Sequence, residues 1–384
     1  MNFNFTKLVI TALIFSSCAT TSHAQEPILP SDKNATKETV ALYKNLLKLK
    51  EKGYMFGHQD DLAYGVNWRY EDGRSDVKDV TGDYPAVYGW DMSGLETKSE
   101  NDIDGVPFKK MRQYIKDGYA RGGVITLSWH FHSPIGAEKG AWDTTHGTVA
   151  SILPGGKNNM LFNSWLDEGA KFIASLKGPN GEAIPVIYRP FHEFTGNWFW
   201  WCKNTCTPSE FKAIFRYVVN YFRNEKNLHN ILIVYNPSDN FNTKEEFLDR
   251  YPGDDVVDVL SYDSYQFGNP ATNDDFVKKN NRLLKLVDEI GTEKNKLTAL
   301  AETGYEAVPY KDWWTNTLAK AIGDNKISYV LVWRNHGMNN SFNPPRMHYY
   351  APYKGQVSAP DFIKFYDSDK TFFEKDVAAK NLYK

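Results

Sequence analysis

Two glutamates close apolar runs in the 384-residue chain: Glu193 ends PVIYRPFHE (residues 185–193) and Glu302 ends LTALAE (residues 297–302). Carboxyl groups so placed suit the breaking of a glycosidic bond. With retention of configuration, one carboxylic acid protonates the leaving oxygen and one carboxylate attacks the anomeric carbon, across a gap of about 5 to 5.5 Å. The plainer reading of each glutamate is a helix cap or an ion-pair partner at a strand end.

Other polar residues gather at the ends of similar runs: His58, Asp91, His130, His132, His192, Asp263, Tyr265, Trp333 and Arg334. His130 and His132, two apart, share one strand face, a spacing that metal-dependent barrel hydrolases also use. A catalytic zinc would need further ligands from other strands and an open position for water. His58 and Asp263 are the available candidates, and the reading preferred here uses no metal and no organic cofactor.

Aromatic residues make up 15% of the chain, with 11 tryptophans and 23 tyrosines. Flat rings of this kind stack on the apolar faces of pyranose sugars. Trp198-Phe199-Trp200-Trp201 follows Glu193 directly; Trp198 reads as a sugar platform, while Trp200 and Trp201 fit cleft or core equally. Trp142, beside Asp143, is a further candidate platform. Lysine and arginine total 45 against 47 acidic residues, so no net positive field exists to gather phosphate backbones, and nucleic acid is not an expected partner.

Eight apolar runs position these residues: 54–58, 85–91, 124–132, 185–193, 231–237, 256–265, 297–302 and 328–336. Strands buried on both faces read this way. Amphipathic stretches at 108–120, 162–176, 208–222, 276–290 and 310–322 fit helices between them, with Thr207 as cap and Pro208 in the first turn of one. A helix over 36–52 covers the barrel floor, and 361–382 forms the closing helix. The pattern is α/β, a single-domain (β/α)8 TIM barrel over residues 25–384, whose site lies where the strands end.

The segment Arg189-Pro-Phe-His-Glu193-Phe-Thr-Gly-Asn-Trp198-Phe-Trp-Trp resembles the signature of glycoside hydrolase family 26, chiefly bacterial β-mannanases. Gly57-His58-Gln59, Trp129-His130, Tyr262-Asp-Ser-Tyr265, Ala301-Glu302 and Val332-Trp333-Arg334 carry the resemblance along nearly the whole chain in strand order. It implies a retaining barrel with Glu193 as acid/base and Glu302 as nucleophile. It further implies that Tyr265 hydrogen-bonds the nucleophile, that Trp198 and Trp333 stack on sugar, and that His130, His192 and Arg334 contact substrate. The implied substrate is β-mannan, glucomannan or galactomannan. Mixed-linkage β-glucan and β-1,3-xylan are substrates of the same family, and a non-catalytic glycan-binding lipoprotein is the rival of another class.

Charge supports the same roles. Strand alternation from Arg189 to Glu193 points both side chains to one face, where Arg189 can pair with Glu302. The anionic Glu302 then disfavours loss of the Glu193 proton. Asp263 supports this group. His192 has the alternative of a hydrogen-bonded rim histidine.

The N-terminus carries an address. Lys7, the apolar stretch 8–15 and small residues thereafter have the layout of a signal peptide, too short for a membrane span. Ser22-His23-Ala24 before Gln25 fits ordinary cleavage after residue 24, whereas Phe15-Ser16-Ser17-Cys18 resembles a lipobox in which Cys18 carries a membrane-tethering lipid. An exported bacterial protein, periplasmic or associated with the outer membrane, is expected, as a monomer. Export favours a short disulfide between Cys202 and Cys206. The composition, 41% hydrophobic and 24% charged with a mean hydropathy of −0.54, argues against a polytopic membrane protein.

Overall fold

A computed structural model describes residue 1 and residues 28–384; the signal-peptide segment 1–24 and Cys18 lie outside them, Met1 apart. Eight parallel strands pair in chain order: β1 (Tyr54–Gln59), β2 (Val87–Asp91), β3 (Val124–Ser128), β4 (Val186–Arg189), β5 (Ile231–Tyr235), β6 (Val259–Gln266), β7 (Leu297–Tyr305) and β8 (Tyr329–Val332). β8 returns to β1, from Met55 opposite Tyr329 to His58 opposite Val332, and closes the barrel.

Alternation along each strand builds two cores. In β4, Val186 and Tyr188 join the outer core under the helices, while Ile187 joins an inner one with Met55, Val87, Leu232, Leu297 and Leu331. The expected floor helix is Lys37–Leu49, capped by the Thr36 side chain. Its Leu42, Tyr43, Leu46 and Leu49 plug the inner core from below. Gly89 of β2 allows close packing inside the barrel, because a Cβ there would meet Gln59 Oε1 at 2.1 Å.

The helices Phe108–Ala120, Asn159–Ala174, Pro208–Asn220 and Asp275–Lys294 lie near their expected positions. Thr207 and Glu210 form a reciprocal capping box at Pro208–Asn220. One expectation shifts and one fails. The 310–322 segment is helical from Trp313 to Ile322, with a wide turn over Trp314–Leu318. The closing segment is not one helix: Ala359–Tyr366 and Glu374–Lys380 flank a two-residue strand, Thr371–Phe372. That strand lies beside Tyr54 and Met55, ahead of the point where β2 joins β1, and Tyr54 N–H donates to Lys370 C=O at 2.8 Å. Pairing there satisfies backbone groups that a continuous helix would leave open.

The upper rim is built by long β6 and β7, by a hairpin pairing Tyr64–Gly65 with Trp68–Arg69, and by a second pairing Gly337–Asn339 with Arg346–His348. Asp76 ties the first hairpin to the loop after β8, accepting from Trp68 Nε1 (2.7 Å), Val66 N–H (2.8 Å) and Asn335 Nδ2 (2.8 Å). Among the described residues no helix is long and apolar enough to cross a membrane.

Candidate active site

Glu302 faces inward because β7 carries one extra residue. Leu300 pairs with Tyr262 but Glu302 with Asp263, and the register to β8 slips at the same place. Strict alternation after Ala301, which belongs to the inner core, would turn Glu302 outward; the bulge re-aims it. Its carboxylate then accepts from Arg189 Nη2 on Oε1 and from Tyr265 Oη, at 2.9 Å, on Oε2. Arg189 also donates to Asp263 Oδ2 at 2.9 Å. One guanidinium thus orients two buried carboxyl groups. Burial, with Glu302 and Glu193 nearby, pushes the Asp263 pKa well up despite Arg189.

Glu193 arrives differently from the expectation. β4 ends at Arg189, so alternation does not aim Glu193. The chain instead turns through left-handed backbone at Phe191 (φ 51°) and Glu193 (φ 54°), conformations that cost a side-chain-bearing residue about 1–3 kcal/mol and concentrate at functional sites. Neighbours hold the turn. Glu193 N–H donates to Asn236 C=O (2.8 Å), Gly196 N–H donates to Glu193 C=O (2.9 Å), and Trp201 Nε1 donates to His192 C=O (2.8 Å).

Burial and the anionic Glu302 raise the Glu193 pKa to about 7. The Trp198 indole N–H donates to Glu193 Oε2 at 2.8 Å and opposes that rise. Trp198→Phe keeps an aromatic ring, though a smaller one, and removes the donor, so the basic limb of the kcat/KM–pH profile should move upward. An unmoved or lowered limb would contradict this electrostatic arrangement.

One oxygen from each of Glu193, Asp263 and Glu302 lies within 4.8 Å of the other two. The trio could converge on a cation, but Arg189 already supplies positive charge to two of its members.

A cleft of about 660 Å³ contains Glu193 and Glu302 together with His130, Trp142, Trp198, Phe199, Tyr265 and Trp333. A cavity of similar size, about 700 Å³, sits by the floor helix at Lys37, Tyr119 and Tyr383; barrel chemistry belongs at the strands' C-terminal ends, which favours the cleft. Gln266, Phe267, Tyr305, Glu306, Phe342, Arg346, His348 and Tyr350 also line the cleft and were not foreseen. They come from the ends of β6 and β7 and the loop after β8, where only aromatic density marks the sequence.

The histidines divide by depth. His130 Nδ1 lies 2.8 Å from Asp91 Oδ2, and its Nε2 lies 3.1 Å from His192 Nε2. Burial opposes charge on His130, but Asp91 outweighs it and raises the pKa. Burial, with Arg189 and His130 nearby, pushes the His192 pKa well down. Whenever His130 is charged, with Nδ1–H on Asp91, its Nε2–H donates to the neutral His192. At 1% exposure it stands behind His130 and off the cleft wall, unlike its expected place against sugar.

His132 Nδ1 engages Glu96 Oε1 at 2.7 Å, and buried His58 engages Asp61 at 2.7 Å. Neither lines the cleft. Arg334 is half-buried and turned to Asp104 (3.0 Å) and His336 (2.9 Å). Trp200 and Trp201 are fully buried and belong to the core.

The expected Cys202–Cys206 disulfide is absent: both are buried free thiols. Cys202 Sγ points to Glu193 C=O (3.5 Å), Cys206 Sγ to Trp201 C=O (3.4 Å), and Arg250 Nη1 reaches Cys206 Sγ at 3.6 Å. Each sulfur thus has partners other than its neighbour. Dithiothreitol should leave Tm unchanged; a fall of several degrees would reveal a bond, since closing even a short loop contributes about 2–4 kcal/mol.

Comparison with known proteins bears on this arrangement. The glycosyl hydrolase family 26 profile matches residues 31–365. A mannan endo-1,4-beta-mannosidase of Bifidobacterium adolescentis is 34% identical over 88% of the chain, which spans only 35% of that relative's length. The solved GH26 beta-mannanase of Bacteroides ovatus is 44% identical, with a TM-score of 0.84 over 91% of this chain and 98% of that one. The GH26 endo-beta-1,4-mannanase catalytic domain of Bacillus sp. JAMB-750 is 31% identical, with a TM-score of 0.84 over 92% and 96% of the two chains. A family pattern that runs the length of the barrel, together with a shared backbone, decides the matter: the chain belongs to glycosyl hydrolase family 26.

Proposed function

We propose that the protein is a retaining endo-acting β-mannanase that cleaves β-1,4-mannosidic bonds of mannan-type polysaccharides by double displacement, with Glu193 as acid/base and Glu302 as nucleophile. The observation that carries this reading is the approach of the two carboxyl groups, oxygen to oxygen within 4.8 Å, in a tryptophan-walled cleft. Retaining glycosidases hold their carboxyls about 5–5.5 Å apart and inverting ones about 6.5–9.5 Å apart, to admit water.

In the first step, Glu193 gives its proton to the leaving oxygen while Glu302, held in place by Arg189 and Tyr265, attacks the anomeric carbon. Forming the glycosyl ester removes the Glu302 charge. One cause of the raised Glu193 pKa disappears with it, so Glu193 stays ionised and takes a proton from the attacking water. His130, Trp142, Trp198 and Trp333 contact the sugar chain.

Mannan is the substrate named for the relatives above; galactomannan shares its backbone, and glucomannan carries β-1,4-mannosyl bonds in a backbone mixed with glucosyl units. The N-terminal pattern supports export to the periplasm or outer membrane, by cleavage before Gln25 or lipidation at Cys18, and the protein acts as a monomer without cofactor. Reducing-sugar release from unbranched mannan, glucomannan, lichenan and β-1,3-xylan tests the substrate. Mannan should be cleaved fastest, into oligosaccharides of mixed length; preference for lichenan or xylan would overturn the assignment.

A further inference from the structure

Basic side chains crowd the barrel floor, at the end away from the cleft. The floor helix Lys37–Leu49 turns Leu42, Tyr43, Leu46 and Leu49 into the inner core, which leaves Lys44 and Lys48, four residues apart, on its outer side. Lys48 and Lys52 line one groove with Lys380 of the helix Glu374–Lys380. Asn45 Nδ2 draws in the stretch after that helix by donating to Leu382 C=O (2.9 Å) and Lys384 C=O (3.2 Å). Acids on the same two segments are already engaged: Glu38 by Lys37 (3.7 Å), Glu51 by Lys326, Glu374 by Arg121 (2.9 Å) and Asp376 by Phe373 N–H (2.9 Å).

The ammonium groups of Lys44, Lys48, Lys52, Lys380 and Lys384 therefore share this face with no ion-pair partner among the described residues. Like charges four apart on a helix destabilise it, and the chain as a whole carries a net charge of −2, so the clustering is local and calls for an anion from outside. Lysine binds phosphate as a point charge without fixed geometry. Spread along two helices, these groups fit an extended sheet of phosphates better than one small anion. The route of the chain supplies a second observation. Ser31 N–H donates to Asp258 Oδ1 (2.6 Å), Arg223 Nη2 donates to Ser31 Oγ (2.9 Å), and His229 Nδ1 lies 2.8 Å from Asp32 Oδ2. These contacts fasten the chain to the floor just before the floor helix. Cys18, the residue a lipid would modify, is thirteen positions upstream of Ser31, a reach of about 45 Å at most.

We propose that the barrel floor docks on an anionic lipid bilayer, its lysines against headgroup phosphates, so that the cleft at the opposite end faces away from the membrane. The inference rests on the export reading given above. A polybasic face adds to the hold of a lipid anchor and, placed opposite the cleft, fixes which end of the barrel meets the polysaccharide.

Protein starting at Gln25 keeps the whole barrel and carries no lipid. It should sediment with vesicles of phosphatidylcholine and phosphatidylglycerol mixed three to one, stay in solution with phosphatidylcholine alone, and come off the mixed vesicles as added salt screens the charges. Lys44→Glu, Lys48→Glu and Lys52→Glu combined should lower the partition coefficient by roughly 100-fold. Lys109→Glu, Lys157→Glu and Lys285→Glu make the same charge change at exposed lysines elsewhere and should leave it nearly unmoved. Melting curves and wild-type rates of mannan hydrolysis check that both variants fold. Vesicle-bound wild type should hydrolyse soluble mannan as fast as free protein. Equal sedimentation with both lipids, equal losses in the two variants, or capture by an acidic polysaccharide gel but by neither vesicle would overturn the docking surface, and a mannan rate that falls on vesicle binding would overturn the orientation. Recovery of the wild-type protein in the cytoplasmic fraction of cells would instead sink the export reading, which the vesicle assay leaves untouched.

Discussion

Glu302→Ala should cut the rate of mannan hydrolysis by about 10⁴-fold or more, a loss of over ~5 kcal/mol of transition-state stabilisation. The variant lacks the group that forms the covalent bond to the anomeric carbon, and the remaining carboxyls are unsuited to replace it. Asp263 is buried, tied to Arg189 and raised in pKa; Glu193 must keep its proton for the leaving oxygen. The fold should survive, because Arg189 keeps Asp263 as an acceptor for Nη1; Arg189 Nη2 and the Tyr265 hydroxyl each lose an acceptor, at a cost of about 1–3 kcal/mol apiece. Rates should be compared on protein shown by circular dichroism to be folded. Added azide or formate, filling the space and attacking from the nucleophile's side, should restore turnover of activated aryl β-mannosides with inverted configuration. Activity near wild type would mean that Glu302 is not the attacking group.

Glu193→Gln should slow mannan hydrolysis by about 10²–10⁴-fold, the range supplied by a positioned general acid. The defect should depend on the leaving group. A sugar hydroxyl needs protonation, whereas dinitrophenolate leaves without it, so formation of the glycosyl-enzyme from an aryl β-mannoside should be nearly normal while its hydrolysis stalls. The pH profile supplies a second reading. Wild-type kcat/KM should fall as pH rises through about 7, where Glu193 loses the proton it must donate. Glutamine cannot titrate, and that limb should vanish. A limb that persists in the variant would belong to another residue.

The barrel is legible in the sequence because each strand is buried on both faces and reads as an apolar run; β4 and β5 are examples. The contact of Tyr265 with Glu302 is implied by the family resemblance rather than by the strand pattern, and the two lie 2.9 Å apart. What aims Glu302 is not legible: the extra residue near Ala301 follows from pairing with β6 and β8, which no local pattern records. Glu193 was expected on the inner face by simple alternation, yet it reaches the cleft through two left-handed residues, neither of them the glycine that usually marks such a turn. Trp198, Trp200 and Trp201 are chemically alike in sequence, and only packing separates one half-exposed ring from two buried ones. His192 and His130 look equally available until depth distinguishes them. The closing segment 361–382 misled because its apolar positions suit a helix, while the start of β1 offers Thr371 and Phe372 a partner.

The pairing of Glu193 and Glu302 can be read directly by trapping the covalent intermediate. Incubation with a 2-deoxy-2-fluoro-β-mannosyl donor carrying a good leaving group slows both steps, and the activated aglycone preserves the first, so labelled enzyme should accumulate. Peptide mass spectrometry should find one mannosyl label, on Glu302. A label on Glu193 or Asp263, or product released first as the α-anomer without any label, would contradict double displacement at this site.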